Sequence, residues 1–177
     1  MVSEVIVQRR TQQLTLSAMF VALAVLFPML FHTVGLGATF LPMFWPVAAA
    51  AFFLSAPLAV AVGILAPLLS FLTTGMPPIS PPILHVIIVE LLAMIGTIEL
   101  LYHKTKLGLT WILLLGLIFS RIVLFFVVMV LAPLLGLPEK LFSAGMVIQG
   151  LPGVLAILIV VPITVSRIKR EPIVEFR

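Results

Sequence analysis

Thr73-Thr74-Gly75-Met76-Pro77-Pro78-Ile79-Ser80-Pro81-Pro82 lies between two long apolar runs, and its reading decides the fold. Four prolines and a glycine bar a continuous helix here. Proline has no N–H to give a helix, and it pushes the residue before it toward extended backbone. The stretch carries no charge. A solvated linker between membrane-length elements would be more polar, so this segment reads as a lid or a pocket wall. His85 and Glu90, two ionisable residues inside an apolar run, come directly after it. The loop and the apolar run behind it read as the working end of the molecule.

The flanking runs set the class. The 177-residue chain is 63% hydrophobic and 9% charged, with mean hydropathy +1.36. Soluble domains carry roughly 25% charged and about 45–50% apolar residues. The chain is therefore expected to be an integral membrane protein in the lipid bilayer, with no room for a separate soluble catalytic domain. Ten Lys and Arg against six Asp and Glu give a net charge of +4. The basic residues sit at the ends of apolar runs, which is a membrane pattern and points to no nucleic acid. The absence of cysteine excludes disulfides and thiolate metal sites. The first apolar run lacks a small-residue cleavage site followed by a soluble body, so it reads as a retained helix.

Outward from the loop, residues 1–177 divide into one membrane domain of six spans, at about 14–31, 41–54, 58–72, 83–102, 109–132 and 144–166. Crossing a ~30 Å hydrocarbon core takes about 20 apolar residues. The second and third spans are short, so a re-entrant hairpin is the alternative for them. With six spans, Arg9, Arg10, Lys104, Lys106, Arg167, Lys169, Arg170 and Arg177 fall on one side. The positive-inside rule makes that side cytoplasmic, with both termini there. Loops 32–40, 73–82 and 133–143 then face out, where Lys140 beside Glu139 is the only basic residue.

Ionisable groups inside membrane helices cost on the order of 2.5–3.5 kcal/mol each, so they ask for a reason. Glu90, Glu99 and Arg121 are the clear cases. Glu90 is twelve residues before Tyr102, and Arg121 is twelve after Leu109. At ~1.5 Å per residue, both lie roughly 18 Å from the loop joining their spans. If they face each other, each neutralises the other. The pair then either fixes the hairpin or binds a polar ligand entering from outside, a carboxylate being natural for the arginine. Glu99 falls on the opposite side of the helix and reaches toward Lys104 or water. His85 is either a hydrogen-bonded helix-end residue or a ligand contact, and His32 and His103 read as interfacial. Gln149 opens the last span in Gln149-Gly150-Leu151-Pro152-Gly153, a pattern of a broken or closely packed helix start, and it could reach a pocket. Phe40, Phe44 and Trp45 form either an interfacial aromatic belt or a stacking wall for a ring. Ala18/Ala22 and Ala59/Gly63 are small-residue pairs that let helices approach closely, as do Ala48 to Ala51. The Ala18/Ala22 face either packs within this chain or meets another membrane subunit. No glycine-rich loop with lysine and no metal-ligand spacing is present. Catalysis, ATP hydrolysis, a metal and a cofactor are therefore not expected.

Gly37-Ala38-Thr39-Phe40-Leu41-Pro42-Met43, the run from Ala66 to Pro78, and Gly150-Leu151-Pro152-Gly153 together resemble the substrate-binding S components of energy-coupling factor (ECF) transporters. The resemblance covers nearly the whole chain in size, span count and charge layout. It implies a six-helix subunit of a bacterial or archaeal cell membrane that binds a vitamin or related micronutrient from outside. It implies a pocket toward the outer ends of helices four to six, with the first and third outward loops as lid. Thr39, Phe40, Phe44, Trp45, Thr74, Met76, His85, Glu90, Arg121 and Gln149 are the candidate substrate contacts. It further implies a transmembrane coupling protein and two cytoplasmic ATPases as partners. The first helix of such proteins carries an alanine-xxx-alanine docking motif, which Ala18 and Ala22 match. Where this branch often has His, the chain has Phe44, which removes one polar contact. Two other classes fit the residues: a stand-alone secondary permease with Glu90 as coupling carboxylate, and a ligand-free membrane scaffold.

Overall fold

In the computed structural model, which describes residues 2–134, 136 and 144–169, the chain is helical and has no strand among those residues. The elements are α1 (Val2–Thr33), α2 (Gly37–Phe40), α3 (Phe44–Phe53), α4 (Ala56–Thr74), α5 (Ile83–Lys104) and α6 (Leu109–Phe126). A π-helical turn (Val127–Leu131) and α7 (Ala132–Leu134) prolong α6, and α8 (Ala144–Gln149) and α9 (Leu151–Ile168) complete the chain. Lys140, Glu139, Arg170 and Arg177, which entered the charge argument, lie outside the described residues.

Five stretches are long and apolar enough to cross a membrane: Gln8–Thr33, Ala56–Thr74, Ile83–Lys104, Leu109–Leu134 and Leu151–Ile168. The second expected span, over 41–54, meets a shorter apolar stretch, Gly37–Phe53, broken near its start. The break is a backbone event. Leu41 adopts a left-handed conformation (φ 50°, ψ 51°), and its N–H donates to the Gly37 carbonyl to end α2. Pro42 then has no N–H to continue the ladder. Short as it is, α3 is the most enclosed element. Eight of its ten residues are buried, among them Val47, Ala48, Ala50, Ala51 and Phe52. A helix wrapped by its neighbours needs to be apolar and thin, but not bilayer-length.

Small residues set the close approaches around α3. A Cβ on Gly63 (α4) would lie 2.6 Å from Ile95 Cδ1, and one on Gly116 (α6) would lie 2.9 Å from Ile98 Cγ1 of α5. These glycines bring α4 and α6 against α5, where van der Waals contact rather than hydrophobic burial drives association in lipid. The expected last span, from residue 144, is divided at Gly150, and Pro152 sits in the first turn of α9, where its missing N–H costs nothing.

The two ends of the bundle differ in chemistry. At one end, Gln13 of α1 clamps the α3–α4 corner: its Nε2 donates to the Phe53 carbonyl (3.1 Å), and its Oε1 accepts from the Ser55 N–H (2.9 Å). At the same end Lys169 donates to the Tyr102 hydroxyl (2.7 Å), with its ammonium 4.7 Å from that ring centroid and 5.9 Å from that of Phe53. Glu99 is buried, and its Oε2 faces His103 Nε2 one turn on (3.6 Å), rather than Lys104 as the spacing suggests. The opposite end holds the proline-rich connection. There α4 ends at Gly75 in the left-handed region (φ 72°), a conformation glycine adopts without steric cost.

Candidate substrate-binding cavity

At the proline-rich end the bundle opens into a cavity of about 340 Å³. Its walls come from helix ends and breaks on one side and from the continuous helices α5 and α6 on the other. Pro28, Met29 and His32 come from the end of α1, which stops at Thr33. Gly37, Ala38, Leu41, Pro42, Met43 and Phe44 come from the broken α2–α3 entry. Ser70 and Thr74 lie on the last turns of α4, with Met76, Pro77 and Pro78 beyond its glycine cap. Ile83, Ile87 and Glu90 descend along α5, Arg121 and Leu124 face them from α6, and Gln149 ends α8.

The polar floor of this mostly apolar space is Glu90 and Arg121, each buried, at 3% and 9% relative exposure. Glu90 Oε1 pairs with Arg121 Nη2. The guanidinium carbon also lies 5.1 Å from the Phe44 ring centroid, a cation–π contact. Arg121 Nε and Nη2 and Glu90 Oε1 are buried and have no hydrogen-bond partner among the described residues. Gly150 leaves room for the guanidinium, since a Cβ there would come within 3.0 Å of Nη1. A buried charge is tolerable only when paired and hydrogen-bonded, so the ion pair is what lets both groups sit at this depth.

The candidate contacts divide cleanly. Phe44, Thr74, Met76, Glu90, Arg121 and Gln149 line the cavity together. Thr39, Phe40, Trp45 and His85 do not. Trp45 Nε1 donates to the Phe40 carbonyl (2.8 Å), and its ring leans on Phe31 (centroids 6.5 Å apart). The backbone of Thr39 and Phe40 packs on Gly153, where a Cβ would meet Phe40 C at 2.6 Å and Thr39 O at 2.8 Å. These residues shape the wall from behind. His85 points away and is exposed. The α1 wall is a contribution that spacing and composition do not announce, and His32, expected to be interfacial, belongs to it. Its ring fills the space over Gly37, where a Cβ would lie 2.4 Å from His32 Cε1. That Gly37 comes five residues after His32 is the sole signal in the sequence for this contact.

Ala18 and Ala22 are exposed on α1, whereas Ala24 of the same helix is fully buried. Ala59 and Gly63 are buried. The two small-residue pairs thus differ in kind: one packs inside the chain, and the other faces outward.

A multi-pass helical membrane protein with one end opened around a buried ion pair is the architecture of a substrate-holding transport subunit. The model of the ECF transporter substrate-specific component family matches residues 12–168, and the chain belongs to that family. No curated protein and no solved structure matches it in the corresponding comparisons. Membership makes the chain a substrate-specific membrane component that works with an ECF module on a small molecule. Members of the family are transporter subunits, not enzymes.

Proposed function

We propose that this chain is the S component of an ATP-driven importer for a vitamin or related micronutrient. It binds the substrate from outside, in the cavity over Glu90 and Arg121, and hands it inward with a transmembrane coupling protein and two ATPases. The observation that carries the reading is the 340 Å³ cavity itself, closed at depth by a buried ion pair and walled by helix ends and by α5 and α6. Its volume lies at the lower end of the roughly 300–1,000 Å³ typical of small-molecule sites. The six-span arrangement with both termini cytoplasmic is part of the proposal. It is supported by the gathering of Lys169, Tyr102 and the Gln13 clamp at the end opposite the cavity. On that arrangement the proline loop faces out and gates the site.

The exposed Ala18/Ala22 face supports the docking role, since a smooth strip on a lipid-facing helix lets a partner helix approach closely. The test is to purify the chain, identify any small molecule that co-purifies, and titrate a vitamin panel by calorimetry. A sub-micromolar ligand whose binding is abolished by Ala38→Trp, which fills the cavity from its rim, is the expected result. No ligand in any class would count heavily against the proposal.

A further inference from the structure

We infer that the cavity takes a ligand with no net charge whose recognised edge both donates and accepts a hydrogen bond, as an amide or lactam does. The inference rests on the cavity being the binding site, and deepens that reading by assigning a substrate class.

Three observations carry it. The first is charge. Among the described residues, Glu90 and Arg121 are the buried ionisable groups of the cavity, and they cancel. His32, the other titratable group on the wall among those residues, is exposed at the rim. A carboxylate entering this floor would set two anions against one cation in a medium where an uncompensated charge is strongly disfavoured. A neutral ligand leaves the balance intact. The second is hydrogen bonding. The arginine fork presents Nε and Nη2 along one edge. Nη2 stands against Glu90 Oε1 as an ion pair, and Nε, Nη2 and Oε1 are all buried without a hydrogen-bond partner among the described residues. An acceptor placed beside Nε satisfies it. A carboxylate has about four acceptor sites, and Arg121 occupies only part of that capacity, so Glu90 welcomes a ligand donor beside it. Acceptor toward arginine and donor toward glutamate is the pattern of a neutral amide-like edge. The third is size and wall chemistry. At about 30 Å³ per water, the cavity volume equals roughly eleven waters, so the ligand has on the order of ten to twenty non-hydrogen atoms. Met29, Leu41, Ile83 and Ile87 on the walls suit an apolar or ring-like remainder.

The test is a calorimetric panel of matched isosteres, each a carboxamide or lactam beside its carboxylate counterpart, with nicotinamide and nicotinate as one such pair. The full-length chain is used, alongside identification of any retained molecule and its charge at pH 7. The expected binders are the neutral members. Glu90→Gln supplies a test of sign. For a neutral edge it removes the strong acceptor and weakens binding at least tenfold. For an anionic ligand it removes the competing carboxylate and tightens binding. Glu90→Gln/Arg121→Gln keeps the site neutral, and with it the fold if either single variant fails to fold. In that background the neutral ligand loses at least tenfold in affinity. Anionic binders that are blocked by Ala38→Trp would overturn the substrate class while leaving the site standing. Binding unaffected by Ala38→Trp, or no binder at all, would overturn the site reading and this inference with it.

Discussion

Gly153→Ala tests whether the wall behind the cavity is as tight as the geometry requires. A Cβ at this position would lie 2.6 Å from Phe40 C, 2.7 Å from Phe40 O and 2.8 Å from Thr39 O, all backbone atoms of α2. Carbon atoms in ordinary contact sit about 3.5–4.0 Å apart, so α2 and α9 must separate by roughly 0.9 Å. Overpacking of this kind costs about 1–3 kcal/mol. Alanine recovers at most about 1 kcal/mol through helix propensity. Gly96→Ala supplies the control, because Gly96 lies within α5 with nothing within 4 Å of its ideal Cβ. That variant gains propensity without a clash. For a chain of this size 1 kcal/mol moves the melting temperature by about 2–4 °C. Thermal unfolding in detergent should therefore place Gly153→Ala roughly 2–12 °C below Gly96→Ala, with Gly96→Ala itself unchanged or slightly raised. Ligand affinity should fall about tenfold in the first variant, about 1.4 kcal/mol, because α2 carries Leu41 toward Gly150 and the arginine. If Gly153→Ala matches Gly96→Ala in stability and binds like the parent, the α2–α9 contact does not set the wall, and the reasoning fails.

Gln13→Ala deletes both arms of the clamp on Phe53 and Ser55, and unpaired backbone groups cost about 1–3 kcal/mol each, so the melting temperature should drop by several degrees. Glu90→Leu strands the Arg121 charge and should cost about 3–5 kcal/mol. Adding Arg121→Met should restore most of that stability while abolishing binding, and a double variant no more stable than the single one would refute a mutual role. Replacing Pro77 and Pro78 by Gly frees two φ angles in the cavity wall. Stopped-flow release should become several-fold faster with the melting temperature within about 3 °C, since the substitutions act through chain freedom. Ala18→Leu/Ala22→Leu should leave calorimetric binding intact and abolish uptake in cells carrying the ECF module; unchanged uptake would remove the docking role.

Some of this architecture is legible in the residues, and the reason is periodicity. The facing of Glu90 and Arg121 can be read from equal helical distances to a short connection, and rise per residue is the most regular number in a helix. Breaks at Gly75 and Gly150 are equally readable, because glycine acts on the backbone directly. The left-handed Leu41 is not. No side-chain signature announces a leucine in that region, and only the packing of its side chain against Gly150 and the missing N–H of Pro42 hold it there. The α1 wall is hidden for a different cause. Met29 looks the same in the sequence whether it faces lipid or a cavity, and in a membrane protein apolarity no longer marks the inside. Gln13 is hidden because its partners are backbone groups about forty residues away.

Phe44 brings the site's parts together. A histidine at this position would set a titratable ring beside Arg121, adding positive charge whenever it is protonated. Phenylalanine instead offers the guanidinium a ring face 5.1 Å away, which stabilises the cation without altering the charge balance with Glu90. Phe44→His should therefore move selectivity toward anionic members of the matched panel. Selectivity unchanged from the parent chain would show that the ring only fills space. Phe44 is then the residue that keeps this floor neutral, and a neutral floor favours a neutral ligand.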